Sequence, residues 1–344
     1  MKVAVIGAGL IGSERIEALQ KISLLTHGAV ELSYVYDFDA TRRLNIIKKY
    51  AVSVSDSIFE VFESRPNWIF ICTPHDVAQE IAISALAIGA NVLMEKPIGR
   101  TLLECDNIIS HQKTGQKLQV GFNYRFYAGI DAAMSDAING KFGQLISINM
   151  ILGHGNSPGM EKTWKLDPHR CGGGCLIDPG IHLLDLVLLL AKGMVKVEGG
   201  NSWSGFWNTG IEEETHLLFS DGDGVLFNIQ ISLNRWRSNF LLEINGTERY
   251  GVVEGRGRSY GPQSYRIGNR WGWQEGKSQA ESETYVVASD RGEDTFFKET
   301  AIVLGSNVAK KVLPHMPILP SCDAQAGRAT MELLERCRLT IKKD

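Results

Sequence analysis

The sequence lacks a strong excess of charge of either sign. Its 36 Lys and Arg residues nearly balance 39 Asp and Glu residues, and the formal net charge of the 344 residues is −3. A nucleic-acid-binding surface needs clustered positive charge, and so does a protein that docks on an anionic membrane. We therefore expect neither a nucleic-acid partner nor a membrane partner.

Long apolar runs and a cysteine framework are also missing. The longest apolar run, residues 183–191, contains Asp185, and it is far shorter than the roughly 20 residues that span a bilayer. The six cysteines have no spacing typical of a disulfide scaffold, and the first apolar strand begins at Lys2 without space for a signal peptide. These absences predict reduced thiols and a cytoplasmic location.

A metal site has little support in the sequence. His169, Cys171 and Cys175 form H-x-C-x-x-x-C, but no second ligand pair at zinc spacing accompanies them. We expect no metal.

The length and the pattern of apolar residues predict two domains. Residues 1–122 alternate short apolar strands with helical patterns, which is typical of a doubly wound parallel (Rossmann) sheet in an α/β dinucleotide-binding domain. Residues 123–344 predict an α+β substrate-binding and oligomerisation domain on a mostly antiparallel, open-faced sheet. The predicted strands include residues 3–6, 32–37, 68–72, 91–94, 118–121 and 225–233, and the predicted helices cover about residues 13–25, 57–64, 76–88, 102–114, 293–312 and 321–341.

One face of the second sheet is expected to be uncovered. Residues 225–234 alternate apolar and polar side chains, and Trp203, Trp207 and Trp236 occur nearby. Such a face favours a homodimer or homotetramer interface, although solvated sheet faces are also common.

The most informative motif is G-x-G-x-x-G at Gly7, Gly9 and Gly12, between a strand and a helix. These glycines allow a tight turn, close approach of a pyrophosphate and helix-on-strand packing, respectively. The N–H groups of the first helical residues, including Leu10 and Ile11, would then face the diphosphate. A glycine-rich turn that serves only packing is the alternative.

The second strand ends in a carboxylate. Asp37 lies 25 residues after Gly12 and can accept hydrogen bonds from the adenosine ribose hydroxyls, which favours NAD over NADP. Asp39 is expected to cap the next helix. Arg42, beside Arg43, keeps NADP open because an arginine there can bind the 2′-phosphate.

Lys96 is a candidate acid–base residue. Met94-Glu95-Lys96-Pro97 follows a strand, and the proline restricts Lys96 to extended geometry. A desolvated lysine there can exchange a proton with a substrate hydroxyl. The alternative is a surface lysine before a turn proline.

A second dense motif covers residues 172–186. Asp178 and His182 are four residues apart, with Pro179 expected at the first position of a helix, so one helical face can present both side chains. They form a plausible acid–base pair. The alternatives are a capping aspartate and a core histidine.

Together with Cys72-Thr73-Pro74, these motifs resemble the glucose–fructose oxidoreductase/inositol dehydrogenase (Gfo/Idh/MocA) family, in order over nearly the whole chain. The resemblance implies an NAD(P)-dependent oxidoreductase that acts on a secondary hydroxyl of a sugar, cyclitol or sugar nucleotide. The implied residues are Lys96, Asp178 and His182 for catalysis, Thr73, Pro74, His75, Glu95 and Lys96 for the cofactor, and Tyr124 and Arg125 for the substrate. His75 and Ala78 depart from the family pattern, in which many members carry Asn after Thr-Pro and a His a few positions on.

The segment before the second motif is basic and aromatic. Lys162, Trp164, Lys165, His169 and Arg170 favour an anionic substrate such as a nucleotide sugar or sugar acid, with Trp164 and Lys165 as contacts. A solvated charged loop is the alternative.

The predicted mechanism transfers a hydride from a substrate carbon to the nicotinamide. Lys96 or His182 accepts the hydroxyl proton while Asp178 orients the imidazole. The alternatives are a non-catalytic NAD(P)-binding regulatory protein with the same fold and, as the resemblance also implies, an NAD-dependent glycosidase.

Overall fold

A computed structural model describes residues 1–275, 283–289 and 294–343. The chain forms two compact units. The first comprises Met1–Asn123, Asp294–Met316 and Pro320–Met331, and the second comprises Tyr124–Glu293, Pro317–Leu319 and Glu332–Asp344.

The first unit contains a parallel sheet with helices between its strands. Its N-terminal elements are β1 (Lys2–Ile6), α1 (Leu10–Leu25), β2 (Glu31–Tyr36), α2 (Ala40–Lys49), α3 (Ile58–Glu63), β3 (Trp68–Ile71), α4 (His75–Ala87), β4 (Asn91–Glu95), α5 (Leu102–Ser110) and β5 (Leu118–Gly121). The strand order is β5-β4-β3-β1-β2, all parallel, and a short strand at Cys322–Asp323 pairs antiparallel with β5. The predicted Rossmann sheet is confirmed.

The second unit contains a larger, mostly antiparallel sheet. Its elements are α6 (Ala128–Ile138), β6 (Leu145–Gly153), α7 (Pro168–Cys171), α8 (Ile181–Leu190), β7 (Lys196–Trp203), β8 (Glu214–Ser220), β9 (Leu226–Ser232), β10 (Asn239–Gly246), β11 (Arg249–Glu254), β12 (Gln263–Asn269) and β13 (Glu283–Ser289). The order is β13-β12-β11-β10-β6-β9-β8-β7, followed by a short strand at Lys342–Lys343. Among the described strands of this second sheet, only the β6/β9 pair and the pair of that last strand with β7 are parallel. This confirms the predicted second sheet.

One face of this sheet is open, as the alternating pattern predicts. Phe227 and Ile229 of β9 are buried, whereas Leu226 of β9 and Leu218 of β8 are 47% and 43% exposed. A concavity of about 580 Å³ on β7–β9 is lined by outward residues that include Trp203. The use of this face in a homodimer or homotetramer stays a prediction, which light scattering can check.

The last helices differ from the sequence prediction. They are α9 (Thr295–Leu304), α10 (Ser306–Val312) and α11 (Ala324–Thr340). The predicted helix over residues 293–312 is interrupted at Gly305, whose φ is +118°, and its first residue lies outside the described residues. None of the described helices is long and apolar enough to cross a membrane.

The predicted assignment of all residues 123–344 to the second domain also differs from the structure. Residues 294–316 and 320–331 belong to the first unit. The reason is apolar packing: Phe297 and Ala301 of α9 share a buried core with Ile16 and Leu19 of α1.

A buried ion cluster also ties α9 to α1 and to the end of β4. The fully buried Arg15 donates from Nε to Glu95 Oε1 at 2.8 Å and from Nη2 to Glu299 Oε2 at 2.5 Å. Its Nη1 donates to Thr300 Oγ1 at 3.2 Å. Breaking such a cluster leaves buried charge without compensation.

We expect Arg15→Met to lower the free energy of unfolding by about 3–5 kcal/mol, because Glu299 stays buried without its cation. Lys21→Met is the matched control on α1, because Lys21 pairs with Asp294 at 3.7 Å and both side chains are about half exposed. Loss of this exposed ion pair should lower the free energy of unfolding by about 1 kcal/mol or less. Urea denaturation followed by circular dichroism measures both. Equal losses in the two variants would contradict the structural role of the cluster.

Candidate active site

The turn between β1 and α1 requires glycine at two positions. Gly7 has a φ of +94°, and a Cβ there would lie 2.6 Å from the backbone carbonyl of Cys72. A Cβ on Gly12 would lie 1.9 Å from the Gly7 oxygen. These two glycines serve the packing of the turn.

Gly9 differs because space adjoins it. Gly9 is the N-cap of α1 with a φ of −71°, and apart from its two chain neighbours the only described atom within 4 Å of an added Cβ is Arg42 Nη1, at 3.7 Å. The following residues, Leu10 and Ile11, begin α1, where the first N–H groups have no intrahelical acceptor. This arrangement is suited to an anion close to the backbone.

Asp37 lies beside this turn. Its Oδ2 accepts a hydrogen bond from the Ala8 N–H at 2.7 Å, and its Oδ1 accepts one from the Asp39 N–H at 2.9 Å. Arg42 Nη1 is 3.7 Å from Asp37 Oδ2. Asp39 caps α2 as predicted, because its side chain accepts from the N–H groups of Thr41 and Arg42. The ribose contact of Asp37 stays a prediction, and the structure shows that its carboxylate also holds the glycine turn.

The loop after β3 supplies a hydroxyl at the same edge of the sheet. Thr73 Oγ1 is buried and has no hydrogen-bond partner among the described residues. Pro74 is the N-cap of α4, and His75, its first residue, is 8% exposed. An orphaned hydroxyl at the carboxyl edge of a parallel sheet is suited to a polar ligand group.

Glu95 and Lys96 follow β4, also at this edge. Arg15 holds the Glu95 carboxylate, and an added Cβ on Gly121 of β5 would come within 2.8 Å of Glu95 Oε2. Lys96 is half-buried. The predicted cofactor residues of the first unit therefore share the carboxyl edge of the parallel sheet.

In the second unit, His182 lies in α8 against an aromatic ring. The imidazole is 4% exposed and stacks on Tyr124, with ring centroids 3.9 Å apart and an interplanar angle of 9°. Burial raises the pKa of the Tyr124 phenol well above its usual value, so this ring is neutral. The stack restricts the orientation of the imidazole.

The prediction that Asp178 and His182 share a helical face is wrong. Gly180 is the N-cap and α8 begins at Ile181, so Asp178 and Pro179 precede the helix. The chain turns tightly there: the Asp178 N–H donates to Gly174 O at 3.0 Å and the Gly180 N–H donates to Cys175 O at 2.7 Å. The N-cap residue itself, Gly180, has no side chain that could cap the helix, and the capping alternative for Asp178 stays a prediction.

Asp178 forms an ion pair with a residue of the basic segment. Lys165 Nζ lies 3.4 Å from Asp178 Oδ2, and attraction to this carboxylate raises the pKa of the Lys165 ammonium. Trp164, in the same 3₁₀ turn, is half-buried. The structure therefore brings Lys165 to the second motif, whereas its contact with a substrate and the orientation of the imidazole by Asp178 stay predictions.

Arg125 does not match its predicted role in a substrate cleft. Its side chain is 3% exposed and forms a double hydrogen bond with Asp185, from Nε at 2.8 Å and from Nη2 at 2.5 Å. Burial raises the pKa of the Asp185 carboxyl, and Arg125 opposes that shift. In the sequence, Asp185 is visible only as an interruption of an apolar run; the carboxylate in that run is the signal for the buried cation Arg125.

Sequence reasoning missed Arg15, Glu299 and an aromatic cluster around Arg256. One available signal was the pair of glycines flanking Arg256: Gly255 and Gly257 have φ values of +66° and +83°. Another was the charge at Arg15 beside the apolar stripe of α1. The described residues contain no group of three or more His, Cys, Asp or Glu side chains that could hold a metal ion.

The fold and the glycine turn define a Rossmann protein with a second, sheet-based unit. Residues 1–122 match the family model described as "Oxidoreductase family, NAD-binding Rossmann fold", and residues 133–250 match the "GFO/IDH/MocA C-terminal domain". The chain belongs to the Gfo/Idh/MocA family of NAD(P)-dependent sugar and cyclitol oxidoreductases.

Relatives of known name are dehydrogenases of sugars or cyclitols. Glucose-6-phosphate 3-dehydrogenase of Bacillus subtilis is 29% identical over 195 residues, which cover 55% of this chain and 53% of the relative. Inositol 2-dehydrogenase of an Arthrobacter species is 27% identical over 285 residues, covering 79% of this chain and 78% of the relative. The chain thus spans about half the length of the first of these relatives.

Solved structures share the fold over the full length. A levoglucosan dehydrogenase in complex with NADH has a TM-score of 0.80 at 16% identity, covering 99% of this chain and 96% of that one. A 3-ketoreductase from Actinomadura kijaniata in complex with NADP has a TM-score of 0.77 at 13% identity, covering 100% and 98%. At these identities the likeness shows the fold alone.

We expect Arg125→Leu to lower the free energy of unfolding by about 3–5 kcal/mol, because it leaves Asp185 buried without a cation. The double variant Arg125→Leu/Asp185→Leu should lose less than the single variant. Urea denaturation measures both. A stable Arg125→Leu variant that shows only a raised KM would restore the predicted substrate role.

Proposed function

We propose that this chain is an NAD(P)-dependent oxidoreductase that transfers a hydride between nicotinamide and a secondary hydroxyl of a sugar, cyclitol or sugar nucleotide. The observation that carries the proposal is the edge of the first sheet, where the open Gly9 backbone, Asp37, Thr73 and Lys96 all follow parallel strands. Ligands of doubly wound sheets bind at this edge.

The residues fit a dinucleotide. Gly9 leaves space where a diphosphate would meet the N-terminus of α1, and the orphaned Thr73 hydroxyl offers a hydrogen bond at the nicotinamide side. The Asp37 carboxylate disfavours a 2′-phosphate, which supports NAD, whereas the neighbouring Arg42 offers NADP a cation. We therefore propose NAD as the cofactor and NADP as the alternative.

When bound, the nicotinamide accepts a hydride from the carbon that carries the substrate hydroxyl. The protein must take the hydroxyl proton and stabilise negative charge on the oxygen. Lys96 and His182 are the two groups that we assign to these tasks, and either can be the base. Tyr124 holds the imidazole in one plane, and Asp178 carries the charge that fixes Lys165.

A screen of NAD and NADP reduction with sugars, inositols and UDP-sugars tests the proposal. Accumulation of reduced cofactor with one of these classes supports it and also compares the two cofactors. Cofactor binding without any turnover would instead indicate a regulatory protein. Sugar release without net reduced cofactor would indicate a glycosidase.

We expect Lys96→Met and His182→Asn each to lower kcat by about 10²–10⁴-fold, because each removes a group proposed for proton transfer. Lys48→Met and His111→Asn are matched controls at exposed positions of the first unit. Steady-state kinetics of the single and double variants also measures coupling between the two residues. Near-wild-type rates in both single variants would contradict the assignment.

We expect Gly9→Ala to raise the Kd for NAD by about tenfold or more, because a methyl group would keep the diphosphate from the backbone. The fold should be unchanged, since the position has space and a φ that alanine adopts. Gly199→Ala is the control: nothing described lies within 4 Å of its Cβ position, and it lies in the second unit. Titration of bound NADH with NAD as competitor, followed by NADH fluorescence, reports the Kd for NAD, and an unchanged value for Gly9→Ala would count against the assigned diphosphate position.

A further inference from the structure

Arg256 follows β11 and lies among three tyrosine rings of the second unit. Its guanidinium carbon is 3.7 Å from the ring centroid of Tyr260, 4.7 Å from that of Tyr124 and 5.8 Å from that of Tyr127. Nη1 donates a hydrogen bond to the Tyr127 hydroxyl at 3.0 Å. Cation–π contacts of this kind stabilise a guanidinium, but they do not satisfy its N–H donors, and Nε has no acceptor among the described residues.

This cation has no carboxylate partner among the residues that the structure describes. The nearby acid in sequence, Glu254, pairs with Arg266, and Asp178 pairs with Lys165. The Nε of Arg256 is buried and has no hydrogen-bond acceptor anywhere in the described ranges of the chain. Tyrosine rings and hydroxyls carry no net charge, so no described residue balances the positive charge of Arg256.

Arg256 is close to the candidate catalytic histidine. Tyr124 stacks on His182 with ring centroids 3.9 Å apart, and the guanidinium carbon of Arg256 lies 4.7 Å from the Tyr124 ring centroid. The guanidinium carbon therefore lies no farther from the imidazole centroid than these two distances combined. Of the described charges near Tyr124, Lys165 pairs with Asp178 and Arg125 pairs with Asp185, whereas Arg256 has no described carboxylate.

We propose that Arg256 binds an anionic group of the substrate, so that the substrate is a sugar or cyclitol that carries a phosphate or a carboxylate. Arginine suits this task because its planar N–H groups match the geometry of an oxyanion with two hydrogen bonds. The tyrosines hold the guanidinium in place before the substrate arrives, which lowers the entropic cost of binding. The proposal rests on the proposed function and assigns the substrate class of the same site.

A purely structural role for Arg256, as a support for the three tyrosines, makes a different prediction. Its removal would then disturb Tyr124 and His182, and would lower the turnover of neutral and charged substrates alike. An anion-binding role affects charged substrates selectively. The comparison of matched substrates separates the two roles.

The experiment compares substrates that share a ring and differ in charge: glucose with glucose 6-phosphate and glucuronate, and inositol with an inositol phosphate. We expect the wild type to have a higher kcat/KM for one of the anionic compounds than for its neutral counterpart. In Arg256→Met the ratio of charged to neutral kcat/KM should fall by at least about tenfold, mainly through KM, because a charged hydrogen bond is lost. Arg256→Lys should restore part of the ratio, and Arg249→Met, at the other end of β11, should leave it unchanged.

A binding measurement does not depend on turnover. Calorimetric titration with the same sugar phosphates should show binding to the wild type and to Arg249→Met, and weaker binding to Arg256→Met. Loss of binding in Arg256→Met without NAD(P) reduction in any protein would support the anion site and contradict the proposed function. Turnover of neutral sugars with no preference for charged ones, or an equal loss on both in Arg256→Met, would overturn the anion site and leave the proposed function intact.

Discussion

Close backbone packing at the turn after β1 is the constraint on which the candidate cofactor site depends. The absence of side chains at Gly7 and Gly12 allows the turn to lie against the end of β3 and against its own first carbonyl. The same turn starts α1 with its N-terminus at the carboxyl edge of the sheet, and Asp37 fixes it through the Ala8 N–H. Packing at two glycines thus leaves open space beside the third, Gly9.

Local sequence patterns were enough to predict most elements. Periodicity located the strands and helices of the first unit, and the cap at Asp39 followed from its side-chain chemistry. What failed were pairings between distant residues. Arg125 and Asp185 are 60 positions apart and Arg15 and Glu299 are 284 apart, so neither local spacing nor periodicity indicates that they meet. The prediction that Asp178 lies on a helical face with His182 failed for another reason. A glycine-rich turn with its own hydrogen bonds occupies the expected start of α8.

Three arginines show how this chain treats a guanidinium away from water. Arg15 and Arg125 each contact carboxylates that are themselves protected from solvent. Arg256 has aromatic rings and hydroxyls instead. The first two arrangements are self-contained, and they account for stability. The third leaves a guanidinium without a described carboxylate and an Nε without an acceptor, which is why we assign it to recognition and not to folding.

Glu299 and the apolar face of α9 come late in the sequence although they belong to the first unit. This position affects how the chain folds during synthesis. The first strands and helices leave the ribosome early. Until α9 emerges, however, Arg15 lacks its second carboxylate, Glu299, and the side chains of Ile16 and Leu19 lack part of their apolar packing. The nucleotide-binding half is therefore finished last, after the inserted sheet unit has been translated. Domains generally complete as whole units, so a shortened chain that stops after β5 would expose an aggregation-prone apolar surface instead of behaving as an autonomous module.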